Sequence, residues 1–572
     1  MPRHSQVIER TAEGFVLRTR FQADMIDEIK AVPGRRYNPE DRSWTIPLQA
    51  ADVAQALAQK YHLSLIDPQA PPSTNLRQAK AQMQAVLADI KAIRLPQPIP
   101  GFTGKLLPWQ KEAIQYGLFA PRVLIADDMG LGKTVEALAI IACRQLLRPL
   151  LVVPATAKET WAEMIAEFFP GWGIRLLSGT SKKPELIKRG NPHGDTIATL
   201  INYDILHHWV PHIHRADAIV FDESHRIKSP TARRTKAAIT LVRQLQPQTT
   251  LLLSGTPIVN YPADLISQLD ALATLPALGG MREFINRYCG PYRDRFGYHI
   301  DGATNLDELG IKLRSTCMIR RLRDEVMPDR QAPQVVRVSM SLPLRHQRKY
   351  TELEVELKQA YAAVQALAET QDVVNDNKVK AAMSHLRTAL AEMKGDFAVE
   401  WCKEFLETAD NRAMGGIDGK QHVARKLVIY AEHHALVDQL KSSLHALCIT
   451  GRESATARNL ARHAFQENPQ HRVIIISAAG NENITLTAAS DMLVAELPLT
   501  PKDLTQAIAR IDRQGQTARV EVFQLVAQGT LDEPLESMLA GKLTIASALD
   551  NGNQTRNGGS LTAALLKMLY QR

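Results

Sequence analysis

Long hydrophobic runs and a cysteine framework are both absent from this 572-residue chain. Apolar runs such as residues 473–476 are far shorter than the roughly 20 residues needed to span a bilayer, and the first ten residues contain no apolar signal core. The five cysteines are scattered without a C-x-x-C pair, which disfavours a disulfide framework or a zinc site. We therefore expect a cytoplasmic protein, associated with the nucleoid if its source is bacterial or phage.

Charge of one sign is only mildly in excess. The net charge is +9 and the isoelectric point is about 9.2, which favours a polyanionic partner without deciding for one. The chain is 45% hydrophobic and 23% charged, an ordinary balance for globular domains. Its length predicts about three or four domains rather than one core.

A glycine-rich segment at residues 127–134 follows a short apolar run and precedes a segment with helical periodicity. Strand, glycine loop and helix form the context of a phosphate-binding P-loop. Its glycines let backbone N–H groups turn toward phosphate oxygens, its lysine would reach the β- and γ-phosphates, and its threonine would hold Mg²⁺. Because Asp127 replaces the first glycine of the general pattern, the segment alone could be an ordinary turn. The predicted ATP contacts are Asp128, Met129, Gly130, Leu131, Gly132, Lys133 and Thr134.

Buried runs alternate with helical segments after this loop, which indicates a parallel sheet with function at the carboxyl ends of its strands. The run at 218–221 ends in Asp222 and Glu223. Asp222 can hold Mg²⁺ through water, and Glu223 can orient and deprotonate an attacking water. The alternative is a helix N-cap with surface acids, which the upstream P-loop makes a poorer interpretation.

A second set of polar residues recurs near the end of the chain. Gln506, Arg510 and Arg513 are spaced i, i+4 and i+7, which predicts one face of a helix. Two guanidinium groups there can be aimed across a cleft at the γ-phosphate, although surface arginines are the alternative without other motifs. Gln506 and, upstream of the P-loop, Gln110 are further candidate nucleotide contacts, because a carboxamide both donates and accepts hydrogen bonds.

Six motifs occur in an order that resembles the Swi/Snf (sucrose non-fermenting) branch of superfamily 2 helicase-like ATPases. They are DDMGLGKT (127–134), VVPATAKETW (152–161), INY (201–203), DESH (222–225), LSGTP (253–257) and QAIARIDRQGQ (506–516). The resemblance covers roughly residues 102–545 and implies two RecA-like lobes, ATP and Mg²⁺ as cofactors, and translocation on duplex DNA. We also expect Asn202 and Tyr203 to contact DNA.

Lobe two departs from the family pattern at several positions. Asp512 stands where the family usually has histidine, Leu499 and Thr500 replace a tryptophan and an asparagine, and Asn483 replaces a glycine. These departures leave ATP binding intact and put in question how tightly hydrolysis is coupled to DNA.

The N-terminal residues 15–66 are predicted to form a separate small module. Residues 21–48, FQADMIDEIKAVPGRRYNPEDRSWTIPL, resemble the HARP (HepA-related protein) domain, which precedes the motor in annealing helicases. The resemblance favours DNA contacts by Arg35, Arg36, Tyr37 and Trp44. In the alternative interpretation, the two aromatic residues fill a small core and the arginines form a solvated face.

The predicted fold class is α/β, with two RecA-like parallel-sheet lobes, a helical insertion and a small N-terminal α+β module. The predicted segments are the HARP-like module (1–66), a linker (67–100), lobe one (101–342), a helical protrusion (343–412), lobe two (413–549) and a tail (550–572). The predicted function is ATP-dependent translocation on duplex or forked DNA, with strand annealing or fork remodelling. Two alternatives stay open, a strand-separating helicase on DNA or RNA, for which no wedge hairpin is visible, and an ATP-gated DNA-binding scaffold with weak turnover.

Overall fold

The fold was analysed in a computed structural model of the 572-residue chain. It describes residues 7–11, 14–18, 23–39, 43–61, 64–66, 74–179, 189–190, 194–258, 261–294, 297–300, 302–328, 330–367, 377–414, 425–478, 484–513 and 515–539. Asn483 and the tail predicted at 550–572 lie outside these ranges.

The N-terminal module is a five-stranded sheet with two helices, and its own small core buries Ile8, Leu17, Met25 and Ile46. Its strand order is β3-β4-β2-β1-β5, with β1 and β5 parallel and the other pairs antiparallel. This arrangement confirms the predicted small α+β unit. Its elements are β1 (Val7–Arg10), β2 (Phe15–Arg18), α1 (Ala23–Ala31), β3 (Arg36–Asn38), β4 (Ser43–Ile46), α2 (Ala51–Lys60) and β5 (Ser64–Ile66).

Two helices connect this module to the first large sheet. They are α3 (Thr74–Ala92) and α4 (Pro108–Phe119). The α3 residue Ile90 is 4% exposed and belongs to the core of the first lobe. Half of the predicted linker is therefore a helix packed on that lobe.

The first lobe is built on an eight-stranded sheet in the order β15-β6-β12-β11-β7-β10-β8-β9. All neighbouring strands are parallel except β8 and β9. Every residue of β7, β11 and β12 is buried, because helices cover both faces of a parallel sheet. The elements are β6 (Arg122–Ile125), α5 (Lys133–Cys143), β7 (Pro149–Val153), α6 (Lys158–Phe168), β8 (Gly173–Leu176), β9 (Arg189–Gly190), β10 (Ile197–Asn202), α7 (Tyr203–Trp209), β11 (Ala218–Asp222), α8 (Arg233–Leu245), β12 (Thr249–Leu253), α9 (Ile266–Ala271), α10 (Gly280–Tyr288), β13 (Tyr292–Asp294), β14 (Gly297–His299), α11 (Leu306–Thr316), β15 (Met318–Ile319) and α12 (Arg323–Val326).

The second lobe is built on a six-stranded parallel sheet in the order β16-β21-β20-β17-β19-β18. The two large sheets agree with the predicted fold class. The elements are β16 (Gln334–Met340), α13 (Leu344–Leu367), α14 (Asn377–Met414), β17 (Leu427–Tyr430), α15 (His434–Leu444), β18 (Leu447–Ile449), α16 (Ala455–Glu467), β19 (Val473–Ile476), β20 (Asp491–Val494), α17 (Pro501–Ile511) and β21 (Glu521–Ala527).

The predicted boundary of lobe one at residue 342 is wrong in one respect. Strand β16 pairs along its whole length with β21, from Gln334 opposite Glu521 to Met340 opposite Ala527. The chain therefore enters the second sheet before the helical insertion begins. Hydrophobic pattern alone cannot tell which of two sheets accepts a strand, because both offer the same hydrogen-bonding edge.

Within the predicted helical protrusion at 343–412, the structure describes two helices, α13 and α14. Both helices pack on the second lobe, where Leu357, Leu386 and Leu390 share one core with β17 and β19. None of the helices that the structure describes combines the length and the apolar character needed to cross a membrane.

A buried ion pair joins the insertion to the end of the second lobe. Lys394, on α14, is 1% exposed, and its Nζ donates to Leu525 O and to Asp532 Oδ2, each at 2.8 Å. Asp532 Oδ2 also accepts from Ala527 N at 3.1 Å. Lys394 therefore links the helix to β21 and to the segment that follows it.

Replacing Lys394 by alanine is expected to destabilise the second lobe by about 3–5 kcal/mol, because the Asp532 carboxylate stays buried without its cation. The measurement is denaturant unfolding followed by circular dichroism. The double variant Lys394→Met with Asp532→Asn should recover most of the loss. Lys403→Ala, at an exposed position of the same helix, is the control. Equal unfolding midpoints for Lys394→Ala and Lys403→Ala would contradict the role given to this pair.

Candidate active site

The glycine-rich loop connects the end of β6 to the start of α5, where Lys133 is the first helical residue. Gly130 has φ +85° and Gly132 has φ +92°, a region that L side chains rarely adopt. A Cβ atom added at Gly132 would lie 2.3 Å from Gln110 Nε2. The positive φ therefore requires glycine at 132, and an added Cβ would also displace the Gln110 carboxamide; with glycine, the amides at the start of α5 stay open to an anion.

Lys133 folds back over this loop. Its Nζ donates to Asp127 O at 2.7 Å and to Asp128 O at 3.0 Å. Thr134 follows it in the first turn of α5, with Met129 and Leu131 in the loop before it. The ammonium group thus lies at the mouth of the loop, where phosphate oxygens would compete with two neutral carbonyl oxygens for it.

Two α4 side chains hold the loop from the other side. Trp109 Nε1 donates to Leu131 O at 3.0 Å, and Gln110 Nε2 lies 3.4 Å from the same oxygen. Gln110 Oε1 accepts from Leu107 N at 3.0 Å. Gln110 is 3% exposed and touches the P-loop itself, and its contact with adenine stays a prediction.

The acidic pair lies at the same edge of the first sheet, since β11 is separated from β6 by β12 alone. Asp222 ends β11, and its Oδ2 accepts from Trp161 Nε1 at 2.9 Å while its Oδ1 accepts from Glu223 N at 3.0 Å. Glu223 has φ +50°, an unusual conformation for a residue other than glycine, and such strain clusters at functional sites.

Burial and neighbouring charges separate the two carboxyl groups. Burial, with the adjacent charge of Glu223, raises the pKa of Asp222 to about 7. Burial acts to raise the pKa of Glu223 as well, but the hydrogen bond and charge of His225, with Lys133 and Lys502, hold that pKa at about 2. Glu223 is therefore ionised at neutral pH, the state that a base requires.

The carboxylate of Asp222 and the hydroxyl of Thr134 are hard oxygen ligands suited to Mg²⁺. Each Asp222 oxygen accepts one of the two hydrogen bonds described above and keeps a lone pair. Within the described ranges, no group of three or more histidine, cysteine, aspartate or glutamate side chains could hold a metal by itself. This donor set fits a cation that takes one or two protein oxygens together with substrate phosphates.

His225 connects the acidic pair to two further motifs. Its Nδ1 lies 3.2 Å from Glu223 Oε2 and 3.3 Å from Ser254 Oγ, and its Nε2 lies 2.8 Å from Lys502 Nζ on lobe two. Neither Lys502 nor Ser254 was among the predicted site residues. The LSGTP motif marked Ser254, but no local signal pointed to Lys502.

The arginine segment of lobe two reaches the P-loop. A Cβ atom added at Gly130 would lie 3.5 Å from Arg513 Cγ and 3.7 Å from Asp512 O. Arg513 Nη1 donates to Thr485 Oγ1 at 3.0 Å, and Arg510 is 3% exposed. The structure therefore brings the predicted arginines to the cleft side of lobe two, with Gln506, at 8% exposure, one turn earlier.

One detail of that prediction is wrong. Helix α17 ends at Ile511, so Arg513 is not at position i+7 of a continuous helix. Its Nε instead donates back to Ala509 O at 2.9 Å. Burial and the nearby Arg510 lower the pKa of Arg513 to about 9, so the guanidinium is still charged at neutral pH and would gain from an anion.

A buried cluster that was not predicted from the sequence lies behind the P-loop. The Arg321 guanidinium donates to both carboxylate oxygens of Asp127 and, at 3.2 Å, to Glu136 Oε1. Asp127 and Glu136 are both fully buried. The sequence signal for this cluster was Asp127, which departs from the general P-loop pattern. A carboxylate that becomes buried needs a cation beside it.

The candidate DNA contacts separate into exposed and buried residues. Tyr203 is 1% exposed and its hydroxyl donates to Asp222 O at 2.6 Å, so its predicted contact with DNA is wrong for this conformation. Asn202 is 8% exposed, with Nδ2 3.4 Å from Asp204 Oδ2. Asn202 is the last residue of β10, and Tyr203 begins α7.

In the N-terminal module, Tyr37 is 48% exposed and its ring centroid lies 4.9 Å from that of Trp44. Trp44 packs partly on the module's core. Arg35 and Arg36 are exposed beside them. The alternative, in which both aromatic rings fill the core, therefore holds in part for Trp44, which is partly buried, and does not hold for Tyr37.

A P-loop lobe that faces an arginine-bearing lobe across a cleft defines a two-lobed, helicase-type ATPase. The chain belongs to the SNF2-related family: the SNF2-related domain matches residues 109–394, which is half of the chain, and the helicase conserved C-terminal domain matches residues 410–515.

Several known proteins are similar to this chain. A Caenorhabditis elegans protein, SWI/SNF-related matrix-associated actin-dependent regulator of chromatin subfamily A-like protein 1 homolog, is 28% identical over 94% of this chain and 74% of its own length. The Xenopus laevis protein of that name is 27% identical, and this chain spans about half of its length (93% and 53% covered). The mouse DNA annealing helicase and endonuclease ZRANB3 is 28% identical over 79% of this chain and 41% of its own length. Among solved structures, the Sulfolobus solfataricus SWI2/SNF2 ATPase core in complex with dsDNA is 21% identical, with a TM-score of 0.37, over 79% of this chain and 94% of that one.

Gly132→Ala is expected to abolish nucleotide binding while the second lobe stays folded. The φ of +92° is strained for alanine, so the loop must change shape, and the added Cβ also displaces the Gln110 carboxamide from the loop. The measurement is ATP affinity by calorimetry or a fluorescent nucleotide. Gly171→Ala is the matched control, since nothing lies within 4 Å of its added Cβ. Similar affinity in both variants would contradict this account of the loop.

Proposed function

We propose that this chain is a DNA-stimulated ATPase that translocates on duplex or forked DNA and uses that movement to anneal strands or remodel forks. One observation carries the ATPase part of the proposal. The lobe-two segment with Arg510 and Arg513 approaches the P-loop so closely that Gly130 and Arg513 are nearly in van der Waals contact. An arginine that reaches the phosphate site only when two lobes close couples hydrolysis to a change of shape.

Each residue of the site has a role in this proposal. Lys133 and the amides at the start of α5 bind the phosphates, and Thr134 and Asp222 are the residues that would hold Mg²⁺. When bound, Mg²⁺ would supply charge neutralisation at the phosphates. Glu223 accepts the proton of the attacking water, and Arg510 and Arg513 stabilise the negative charge that develops.

Further contacts complete the proposed nucleotide site at both lobes. Asp128, Met129 and Leu131 shape the loop, and Gln110 and Gln506 provide carboxamides near it. Trp161 Nε1, 2.9 Å from Asp222 Oδ2, holds the carboxylate in one orientation. These side chains bind and orient, and water is excluded as the lobes close.

DNA as the partner is supported by the charge of the chain and by its relatives. The net charge of +9 favours a polyanion. One relative is named a DNA annealing helicase. The exposed Tyr37 beside Arg36 offers a base-stacking surface next to a phosphate-binding cation. We assign residues 1–66 to this DNA-binding role, as a HARP-like module.

A strand-separating helicase is the second candidate, favoured by one element that the sequence did not reveal. Strands β13 and β14 form a short antiparallel hairpin in lobe one, and its Tyr298 is 61% exposed. An exposed aromatic ring on a hairpin could divide a duplex. The hairpin has only three residues in each strand, which favours translocation without separation.

The test of the proposed function is ATP turnover measured without nucleic acid and with single-stranded, duplex and forked DNA and with RNA. Duplex or forked DNA should stimulate turnover most, and Lys133→Ala should abolish it because the phosphates lose their cation. Strand separation in a displacement assay would favour the second candidate. Weak turnover that no nucleic acid changes would leave an ATP-gated scaffold as the better description.

Tyr37→Ala is expected to weaken binding to forked DNA by about 1–3 kcal/mol, the usual contribution of one aromatic–base stack. The ring is half exposed, so its loss should leave the module folded. Affinity is measured by fluorescence anisotropy at several salt concentrations, together with strand annealing. Leu48→Ala, another exposed apolar residue of the same module, is the control. Equal affinity of both variants for forked DNA would remove Tyr37 from the interface.

A further inference from the structure

Asp512 lies where the two lobes meet, one residue before Arg513. Its Oδ2 accepts a hydrogen bond from Arg323 Nη1, and its Oδ1 accepts one from Arg330 Nη2. Asp512 is 4% exposed. Each carboxylate oxygen is thus engaged by a different guanidinium group, in a place that water hardly reaches.

Both arginines belong to the segment that leaves the first sheet. Arg323 begins α12, after the last strand of lobe one, and Arg330 precedes β16, the first strand of the second sheet. The contacts therefore join the exit of lobe one to the end of α17. Asp512 and Arg330 are 182 positions apart in the sequence.

The same segment touches both halves of the candidate active site. Arg323 N donates to Asp128 Oδ2, in the P-loop, at 3.0 Å. Arg330 Nη1 donates to the backbone oxygen of Arg513 at 2.9 Å. A continuous chain of contacts therefore runs from the P-loop through Arg323, Asp512 and Arg330 to the backbone of Arg513.

A carboxylate is the chemical group that this position requires. Two guanidinium groups converge on it, and an imidazole would be neutral or positively charged there. The Swi/Snf pattern, in which histidine is usual at this position, therefore does not describe the contact in this chain. The departure at Asp512 is matched by its arginine partners.

We propose that Asp512, Arg323 and Arg330 form a latch that holds the lobes closed and positions Arg513 at the P-loop. Asp512 is a positioning residue, since it acts through Arg513. The catalytic consequence of the latch rests on the proposed ATPase function, whereas closure of the lobes is a property of the chain that can be measured without turnover.

Closure is tested by energy transfer between dyes on the two lobes, at Lys236→Cys on α8 and Ser443→Cys on α15, both exposed positions. The background carries Cys143→Ser, because the other four cysteines are buried. Asp512→Asn should shift the population toward open lobes, that is, toward a lower transfer efficiency. Asp438→Asn is the matched control, since it makes the same chemical change in an exposed ion pair with Arg452 within lobe two.

Kinetics test the positioning role. Asp512→Asn and Arg330→Gln should each lower DNA-stimulated kcat by roughly 10- to 100-fold, the cost of misplacing a catalytic group. The affinity for ATP should change by less than about threefold, because the P-loop contacts stay in place. The double variant should be no slower than the slower single variant, as expected for residues that act through one contact. Asp512→Glu should restore part of the rate, and Asp512→His should not.

Folded variants with wild-type closure and wild-type kcat would overturn the latch. A merely structural pair would also overturn it, and would appear as a lower melting temperature with unchanged closure and unchanged kcat. If the wild-type protein hydrolyses no ATP under any condition, the proposed function fails. The comparison of dye distances between Asp512→Asn and Asp438→Asn then still decides whether the latch exists.

Discussion

The contact on which the site depends is the buried ion pair between Arg321 and Asp127. Arg321 follows the last strand of lobe one, and its guanidinium group donates to the carboxylate of Asp127 at the start of the P-loop. The same group donates to Glu136 on α5 and to the backbone oxygen of Trp109 on α4. Loss of either partner would leave a charge buried without compensation, which costs several kcal/mol. Burial, together with the charge of Asp127, raises the pKa of Glu136. A raised pKa lowers the negative charge that Arg321 must balance in this cluster. The buried contacts of Arg321 thereby fix the shape of the P-loop.

The position of lobe two follows from contacts built on this frame. The chain that runs on from Arg321 supplies Arg323 and Arg330, and both converge on Asp512. At a second place, Arg462 on α16 donates to Glu163 on α6 at 2.7 Å. A third contact joins Lys502 to His225, whose other nitrogen faces Glu223. These contacts between the lobes are therefore made by charged groups. Polar contacts suit two surfaces that separate and close again.

The charges in the cleft place complementary parts of the proposed reaction site on the two lobes. Lobe one presents Glu223, held in its ionised form, beside a P-loop with Lys133. Lobe two presents Arg510 and Arg513, whose mutual proximity and burial favour an anion between the lobes. Neither lobe carries both the acidic group and the arginines, so hydrolysis at the proposed site requires the lobes to close.

The sequence alone determined the fold class, the order of the motifs and most of the candidate site, because hydrophobic periodicity and glycine placement are local properties that parallel sheets impose. It could not assign β16 to the second sheet, end α17 before Arg513 or bury Tyr203 beneath Asp222. It also could not find partners for Asp127 and Asp512. The sheet assignment of β16 and the partners of Asp127 and Asp512 depend on contacts between residues about 180 or more positions apart, such as the separations of 194 for Asp127 and Arg321 and 182 for Asp512 and Arg330, whereas Tyr203 meets Asp222 across a separation of 19. Only the tertiary structure decides such contacts, because the sequence position of a charged residue does not show which charged residue will lie beside it after folding.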